Sequence, residues 1–564
     1  MEAFKENFQF EEPLLENSVA RRSERIIDVK GVKHHTDSWR ACTYILVTEC
    51  FEELAYYGIQ FNLVTFLKTV LRESNVTAAR NYTNWQGTCY VAPLIGAIIA
   101  DSYLGRYLTT IAFFTVYLAG MAAISISASF PACAGADCLP DGSYQSAVFF
   151  LGLYMMAIGA GGIKPCVSSF GADQFDDSIP VERLKKDSFF NWFFFAIYIG
   201  SFVAGTIVVW VQDRYGWVIG LWTPTLFIAL AIASFLLGSS SYRVQKPQGS
   251  PILRVLQVIV ASVRKWKVTV PQDASLLHES PEMVSMADGP KLQHTSVLRF
   301  LDKAAVVSSR EELSGSDPWR LCTVTQVEEL KVIVGMLPIW ATGIVYFAVL
   351  AQFSSTFLEQ GRTMDRHVGA FAIPAASLAS FDAVSVIVWV PVYDRVLVPA
   401  ARRLTGDERG LSELQRYGAG LLLSVLVMVA AALVETRRLA GAHAGEAAMS
   451  ILWQAPQYLL VGASVVFACV GQAELFYNEA PAAMRSLSSA LALVTVALGS
   501  YLSSVVVTAV AWLTARGGGA PGWIPDDLDE GHLDRFFWLL AALSALNLAV
   551  FLCCARRYRR KNVS

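Results

Sequence analysis

The chain has 564 residues, of which 54% are hydrophobic and 16% are charged, and its mean hydropathy is +0.43. Soluble domains carry about 25% charged residues, so this composition excludes an ordinary soluble protein. The formal net charge of −2 argues against a nucleic-acid partner. Apolar runs of about 20 residues recur along the whole length, which is typical of a helical protein that crosses a membrane many times.

The apolar runs predict about twelve membrane-spanning helices in two halves of six, so the predicted fold class is an all-α polytopic membrane protein. The runs lie near 43–67, 85–102, 108–130, 146–170, 188–211, 216–239, 331–356, 369–397, 415–435, 451–476, 487–513 and 535–555. The predicted segments are an N-terminal tail (1–41), a first half (42–239), a polar central loop (240–330), a second half (331–555) and a basic C-terminal tail (556–564).

The distribution of Lys and Arg predicts the orientation. Both tails and the 4–5 and 8–9 connections are basic, whereas the 11–12 connection is acidic. The positive-inside rule therefore predicts that both termini and the central loop face the cytoplasm. Within that loop, residues 253–267 combine an apolar stripe with basic ends, which suits a helix lying along the membrane surface. An ordinary connecting helix accounts for the same pattern.

Three glutamates, Glu49, Glu52 and Glu53, lie inside the first predicted span and share one face of a helix. An ionised carboxylate in a bilayer costs about 2.5 kcal/mol or more, so the cluster needs water, a cation or bound protons. Lys164, in the fourth span beside glycines and Pro165, is the most economical partner. A lysine that snorkels to the interface is the alternative.

Other titratable residues give weaker signals. All seven histidines fall in predicted tails or loops, so we expect no metal site and no cofactor, and a carboxylate as any intramembrane proton carrier. Asp382 is a candidate for a cavity, Glu479 for pairing at a helix end, and Glu474 stays undecided. Cys133 and Cys138 share a short loop and can pair if it faces an oxidising side.

Two connections carry a similar acidic–basic pattern. The 2–3 connection reads GAIIADSYLGRYLTT (96–110) and contains Asp101 and Arg106, and the 8–9 connection contains Asp394 and Arg395. The first resembles the signature loop of major facilitator transporters, whose 6+6 plan also matches the predicted halves. We expect these charges to form and break pairs at the cytoplasmic rim as the halves move. A purely topogenic role is the alternative.

The motifs together resemble the proton-coupled oligopeptide transporter family, and more closely its plant nitrate/peptide transporter branch. The matching stretches are ECFEELAYYGI (49–59), GGIKPCVSSFGADQFD (161–176), SFFNWFFFAIYIG (188–200), TVTQVEELK (323–331), LPIWATGI (337–344), VPVYDR (390–395), GQAELFYNEAPAAMRSLSSAL (471–491) and GWIPDDLDEGHLDRFFWLL (522–540). The resemblance implies the major facilitator fold and proton-driven import of small solutes by alternating access.

Two departures from the family pattern concern the charged cluster. Where the family has Arg or Lys after Glu-x-x-Glu, this chain has Glu53, and where the family has a tenth-span glutamate, it has Val465. The fourth-span lysine, Lys164, has therefore lost the partner that the resemblance implies. Our hypothesis is that Glu53 keeps a proton or takes over the role of the missing acid. The competing hypothesis is an uncoupled facilitator.

Other departures concern the solute. Tyr198 replaces an asparagine able to bind a peptide backbone, which weakens a dipeptide substrate, and Leu350 stands where a nitrate-transporting relative has histidine, which weakens nitrate. A larger, partly apolar solute such as a hormone or specialised metabolite is favoured accordingly, beside di- and tripeptides. The candidate pocket residues are Tyr56, Tyr57, Tyr198, Trp340, Leu350 and Val465. Packing or lipid contact is the alternative for each aromatic residue.

The sequence therefore predicts a secondary transporter and not an enzyme, because no histidine is placed inside a span. A non-transporting sensor of the same fold is the remaining alternative. The expected partners are a small solute, protons and the lipid bilayer. The tail segment EEPLLE (11–16) resembles a dileucine sorting signal with altered spacing, so the plasma membrane is favoured and the vacuolar membrane is the alternative.

Overall fold

The structure is a computed structural model. It describes residues 27–28, 38–73, 75–129, 142–176, 179–245, 247, 250–273, 276–279, 294–307, 317–368, 371–372, 379–406, 410–481, 484–515, 522–525 and 528–558. The predicted sorting segment (11–16) and the pair Cys133 and Cys138 lie outside these residues.

Helices dominate the described residues before and within the central loop. They are α1 (Ser38–Gln60), α2 (Leu63–Thr69), α3 (Asn75–Val91), α4 (Pro93–Ile99), α5 (Gly105–Ser129), α6 (Gly142–Ala172), α7 (Pro180–Val203), α8 (Val209–Leu237) and α9 (Pro251–Arg264). Two short strands, β1 (Ile27–Asp28) and β2 (Arg243–Val244), pair in antiparallel register with Ile27 opposite Val244.

The second half repeats this helical plan. Its helices are α10 (Val324–Leu350), α11 (Thr356–Arg362), α12 (Ala379–Val392), α13 (Val398–Thr405), α14 (Glu413–His443), α15 (Ala455–Glu479), α16 (Arg485–Ala515) and α17 (Leu533–Arg557). Strands β3 (His367–Val368) and β4 (Phe371–Ala372) form a second small antiparallel pair. The predicted all-α membrane architecture is confirmed.

Nine helical stretches among the described residues are long and apolar enough to cross a membrane. Two of them, 84–129 and 181–241, contain a glycine with positive φ, Gly105 (75°) and Gly216 (82°), where the chain turns sharply. Helix α1 is not among the nine, because its three glutamates make it too highly charged to count as an apolar span. The number of twelve spans stays a prediction.

The predicted first span, 43–67, ends earlier than expected. Helix α1 stops at Gln60 and a new short helix starts at Leu63. The Asn62 side chain between them donates a hydrogen bond to Gln212 Oε1 at 2.8 Å, so the break is tied to α8. A helix forms in the central loop as α9, with Ser250 Oγ accepting from the backbone N–H of Leu253 at its start, and its position on the membrane surface stays a prediction.

Glycines let the helices of the first half approach closely enough to position Lys164. A Cβ atom at Gly96 of α4 would lie 2.2 Å from the backbone oxygen of Gly161, and one at Gly120 of α5 would lie 2.7 Å from that of Gly152. Small residues are the usual means of close packing between membrane helices. The α6 segment that carries Lys164 is therefore held against α4 by backbone contact.

We expect the substitution Gly96→Ala to destabilise the protein. Its Cβ would meet backbone atoms of Gly161 and Gly162 within 2.5 Å, so the two helices would have to separate, and overpacking of this kind costs about 1–3 kcal/mol. Thermal unfolding of the purified protein should show a lowered melting temperature. The control is Gly335→Ala, whose Cβ would meet nothing closer than 3.9 Å. Equal melting temperatures for the two variants would contradict the close-packing argument.

Candidate functional site

The acidic cluster and Lys164 meet in the interior of the first half. Glu49, Glu52 and Glu53 are 2%, 0% and 5% exposed, and Lys164 is 9% exposed. The Lys164 Nζ atom lies 2.6 Å from Glu53 Oε1 and 3.5 Å from Glu52 Oε2. One ammonium therefore touches two of the three carboxylates. At Glu49, Oε2 has no hydrogen-bond partner among the described residues.

The backbone around the cluster explains how the ion pair forms. Helices α1 and α7 are so close that a Cβ at Gly200 would lie 2.5 Å from the backbone oxygen of Cys50 and 3.3 Å from Glu53 Cβ. The three glutamates offer carboxylate oxygens within 4.8 Å of one another, which is close enough for a metal cation. The ammonium of Lys164 already supplies a positive charge there. A similar group, His294, Asp302 and Glu328, lies beside the ammonium of Lys331, which pairs with Asp302 at 2.6 Å and with Glu328 at 2.7 Å.

Of the two predicted tyrosines on α1, Tyr56 is packed and Tyr57 is partly accessible. Tyr56 is 1% exposed and stacks on Trp85 with ring centroids 5.5 Å apart, and Lys164 Nζ lies 4.4 Å from its ring centroid. A cation held over an aromatic face is stabilised electrostatically. Tyr56 therefore supports the lysine from a buried position, whereas Tyr57 is half-buried and stacks on Phe61.

The other four predicted pocket residues lie in two environments: Trp340 is apart, and the remaining three share one apolar cluster. Trp340 is half-buried and its indole N–H donates to the backbone oxygen of Leu491 at 2.7 Å. Val465 is 1% exposed, and Tyr198 and Leu350 pack against the same apolar cluster of the second half. Leu350 also lines a small apolar cavity. The other lining residues are Tyr346, Val349, Phe353, Phe357, Ser424, Val427, Met428, Val461 and Ser464.

Asp382 is a buried acid in the second half whose carboxylate is not fully satisfied. It is 6% exposed, and its Oδ1 atom has no hydrogen-bond partner among the described residues. Its helix, α12, packs against α7 of the first half and against α15 of the second half. Asp382 therefore lies on a helix that contacts both halves. The sequence located this acid near a cavity but gave it no defined role.

Asp173 connects the halves at the end of the bundle that carries the 2–3 and 8–9 connections. Its carboxylate accepts hydrogen bonds from Arg106 of α5, and from Tyr477 and Arg485 of the second half, the last at 3.2 Å. Arg106 also donates to Ser486 Oγ at 2.8 Å. We call this group the Asp173 latch. Its residues are Asp101, Arg106, Asp173, Tyr477, Arg485 and Ser486.

The predicted pair Asp101–Arg106 is present in this latch, with Arg106 Nη2 at 3.5 Å from Asp101 Oδ1. The pair is secondary, because Arg106 is much closer to Asp173. The other Asp101 oxygen accepts from the backbone N–H of Leu487 at 3.1 Å, which is a further contact between halves. Sequence reasoning missed Asp173 as a partner, although it lies within the motif GGIKPCVSSFGADQFD. A carboxylate about two and a half turns beyond a membrane lysine was the available signal.

A second group joins the halves between α7 and α14. Arg416 donates to Glu474 Oε2 at 3.1 Å and to Asn191 Oδ1 at 2.5 Å, and its guanidinium lies 4.0 Å from the Tyr393 ring centroid. Asp394 accepts from the Asn191 amide at 3.0 Å. We call this group the Arg416 latch. It assigns the undecided Glu474 a partner in Arg416.

The side chain of Arg395 lies beside an aromatic ring in the structure and not beside that of the acid predicted to pair with it. Asp394 accepts hydrogen bonds from Ser188 Oγ at 2.9 Å and from Asn191, both on α7. Arg395 instead is exposed and lies 5.7 Å from the ring centroid of Trp192. Successive residues on a helix point in different directions, so the two charges of this dipeptide contact different neighbours. Both nevertheless contact the first half.

Comparison with known proteins identifies the family. The model of the POT family (PTR2) matches residues 107–524. The Arabidopsis thaliana protein NRT1/PTR family 8.3 is 52% identical over 98% of this chain and 98% of its own length, and NRT1/PTR family 8.5 of the same plant is 54% identical over 95% and 93%. This chain belongs to the POT family. It is a membrane transporter and not an enzyme.

Solved structures share the fold. The crystal structure of an auto-inhibited POT family peptide transporter superposes with a TM-score of 0.61 at 24% identity, covering 93% of this chain and 98% of that chain. A POT family transporter in complex with 5-aminolevulinic acid superposes with a TM-score of 0.60 at 16% identity, covering 95% and 99%. The two halves described above are therefore those of a POT transporter.

We expect Asp173→Asn to loosen the contact between the halves of this POT transporter. The variant leaves Arg106 and Arg485 without their shared carboxylate, and removing one partner of a buried ion pair costs about 3–5 kcal/mol. The native thiol of Cys166, buried on α6 between Lys164 and the latch, should then react faster with a membrane-impermeant thiol reagent. The reaction rate is measured by mass spectrometry of the Cys166 peptide.

The control for this experiment is Asp317→Asn in the central loop. Asp317 pairs with Arg320 at 3.8 Å, and its side chain is 47% exposed, so its removal should leave the Cys166 rate unchanged. If the Cys166 rate in Asp173→Asn stays at the wild-type value, the Asp173 latch does not shield Cys166 from the aqueous reagent.

Proposed function

We propose that this POT transporter is a proton-coupled symporter of small organic solutes that works by alternating access. The observation that carries the proposal is the buried contact of Lys164 with Glu53 and Glu52. The cluster has three acids and one cation in an apolar interior. Ionised groups without partners are costly in that environment, so the acids beyond the one that Lys164 neutralises must hold protons or exchange them.

Glu53 is the best candidate for the coupling acid. It is the carboxylate closest to Lys164, so it can neutralise the lysine when no solute is bound. A solute carboxylate that binds Lys164 would displace Glu53, which would then become an unpaired buried anion and take up a proton. Binding of solute and proton would thus depend on each other. This role corresponds to the hypothesis that Glu53 replaces the missing tenth-span acid.

The two latches support the alternating-access part of the proposal. Both consist of buried charged groups that are shared between halves, and both lie at the end that the positive-inside rule assigns to the cytoplasm. Opening toward the cytoplasm would require these contacts to separate together. Electrostatic contacts of this kind have two discrete arrangements, made or broken, as a switching transition requires.

Helical geometry supports a binding site near the membrane midplane. At about 1.5 Å of rise per residue, Lys164 lies about 14 Å along its helix from Asp173, and Asp382 about 18 Å from Asp394. The hydrocarbon core is about 30 Å thick, so both distances correspond to about half of it. A cation in one half and an acid in the other would then flank one central space.

For the solute we propose a small molecule that carries a carboxylate and an amino group, such as a di- or tripeptide. Lys164 would bind the carboxylate and Asp382 the ammonium, with Tyr57 and Tyr198 between them. The ligand in one superposable POT structure, 5-aminolevulinic acid, has both groups. The small cavity beside Leu350 is lined mainly by apolar residues, which would contact an apolar group of the solute, so a partly apolar hormone or metabolite stays within the proposal.

An uncoupled facilitator is the second candidate. The 2.6 Å contact between Lys164 Nζ and Glu53 Oε1 also favours this candidate, because a lysine that already has a close carboxylate partner would not exchange it for the solute. Uptake by proteoliposomes with an imposed pH gradient separates the two candidates.

We expect uptake of dialanine into proteoliposomes to be stronger when the external side is mildly acidic than when it is mildly alkaline, and to collapse with an uncoupler. In Glu53→Gln the acid-driven component should fall by about tenfold or more, since a charge-assisted hydrogen bond contributes about 1.5–3 kcal/mol. The exposed Glu359→Gln is the matched control and should behave as wild type. Retained acid stimulation in Glu53→Gln would remove this residue from the proton path, and pH-independent uptake by the wild type would favour the facilitator.

We expect Asp382→Asn to weaken the preference for solutes with a free amino group. The wild type should take up dialanine better than N-acetyl-dialanine, because only the former offers an ammonium to the buried carboxylate. In the variant the ratio of the two uptake rates should fall by about tenfold, for the same reason of a lost charge-assisted contact. Ser385→Ala, one turn along α12, is the control. An unchanged ratio would exclude Asp382 from ammonium binding.

A further inference from the structure

Helix α9 of the central loop presents a continuous apolar row to its exterior. The row recurs at every third or fourth residue, so its members within the helix lie on one face, and Trp266 follows them in the turn after Arg264. Their exposed fractions range from 38% to 68%. We call this row the exposed seam, and its residues are Ile252, Leu256, Ile259, Val263 and Trp266.

The opposite face of the same helix is already occupied. Val258 and Ala261 are fully buried in an apolar cluster that contains Leu301 of the central loop and Val327 of α10. The helix is therefore apolar on two sides, with polar residues such as Gln257 and Arg264 along one edge. An ordinary connecting helix would expose a polar face to water, so the exposed seam requires an apolar neighbour.

The position of α9 along α10 indicates which neighbour is available. Val327 and Leu330, in the first two turns of α10, share its buried cluster, and Arg254 lies 3.5 Å from Glu329. Helix α10 has 27 residues, which corresponds to about 40 Å. This exceeds the hydrocarbon thickness of about 30 Å, so the first turns of α10 lie at the level of the lipid headgroups. Helix α9 lies beside them.

The charges around the seam indicate which lipid fits. Arg264 and Lys267 are exposed at the C-terminal end of the helix, and Lys267 Nζ lies 5.4 Å from the Trp266 ring centroid. Two further exposed arginines lie close to this end of the helix. Arg299 donates to the backbone oxygen of Pro271, and Arg320 follows Trp319, whose backbone oxygen accepts from Arg264. Tryptophan beside basic residues is typical of a membrane–water interface, and such cations attract anionic phospholipids.

We propose that the exposed seam inserts into the cytoplasmic leaflet and that Arg264 and Lys267 bind the headgroups of anionic phospholipids there. The central loop is thereby anchored to the membrane beside α10. A second copy of the chain is a poorer occupant, because it would bring the same basic surface into the interface. This inference is independent of the solute and of proton coupling.

The first test measures the depth of α9 in the full-length protein, reconstituted in vesicles of phosphatidylcholine with and without phosphatidylglycerol. A nitroxide label is placed at Leu256→Cys or at its neighbour Gln257→Cys, in a Cys553→Ser background. Collision with oxygen, which concentrates in lipid, is compared with collision with a water-soluble nickel chelate. We expect the oxygen-to-nickel ratio at position 256 to be several-fold higher than at position 257.

Equal ratios at the two positions would overturn the proposal, because both labels would then be in water. Spin–spin broadening at position 256 without a gain in oxygen collision would also overturn it, in favour of contact between two copies. Circular dichroism and the melting temperature check that both labelled proteins are folded.

The second test concerns the headgroups. The double variant Arg264→Gln, Lys267→Gln should lose the increase in depth that phosphatidylglycerol produces, since each cation near an anionic surface contributes about fivefold to such an equilibrium. The control is Arg362→Gln on α11, a residue whose side chain is 58% exposed far along the chain from the central loop. A double variant that keeps the full phosphatidylglycerol effect would overturn the assignment of Arg264 and Lys267.

Discussion

The buried ammonium of Lys164 is the constraint on which the interior of the first half depends. A lone cation at this position would be excluded from an apolar protein interior, so the helices around it must bring carboxylates within reach. They do so through glycine contacts, because Gly200 brings α7 against α1 beside Glu53, and Gly96 brings α4 against α6. Packing and charge thus specify the same arrangement. A change in either would disturb the other, which is why the acids and the small residues of this region have to be considered together.

The same electrostatic principle explains how the two halves meet. At the end of the bundle, Asp173 serves two arginines from different halves, and Arg416 serves Glu474 and Asn191. In each latch, a buried charged group has one partner in its own half and a further partner in the other half. Separation exposes these groups to water, which compensates for the lost pairs, so the energy difference between the two arrangements stays small compared with the strength of each contact. Charged latches are therefore compatible with repeated opening, whereas a large apolar contact would hold the halves closed.

The sequence predicted the helical membrane fold, the family and the proximity of Lys164 to the first-span acids, because each depends on patterns local to one helix or on the high cost of an unpaired charge. It did not predict Asp173 as the partner of Arg106, since which of two carboxylates is nearer depends on the packing of α5 against α6. It also did not show that Tyr56 is buried against Trp85 while Tyr57 is accessible. Neighbouring aromatic residues on one helix look equivalent in a sequence, and only the positions of the surrounding helices distinguish them.

In the proposed binding site, Asp382 would supply from α12 the acid that α15 lacks. With Val465 buried in an apolar cluster, α15 offers no carboxylate at that position, yet the second half still contains a buried acid on α12, a helix that packs against α7 of the first half. A binding site requires a charged group at a particular position. Side chains from adjacent helices can reach the same position, so either helix can supply that group. A burial pattern that leaves one carboxylate oxygen without a partner is costly for stability. In the proposed function, the ammonium of the solute would supply the missing hydrogen bond to Asp382 Oδ1 during transport.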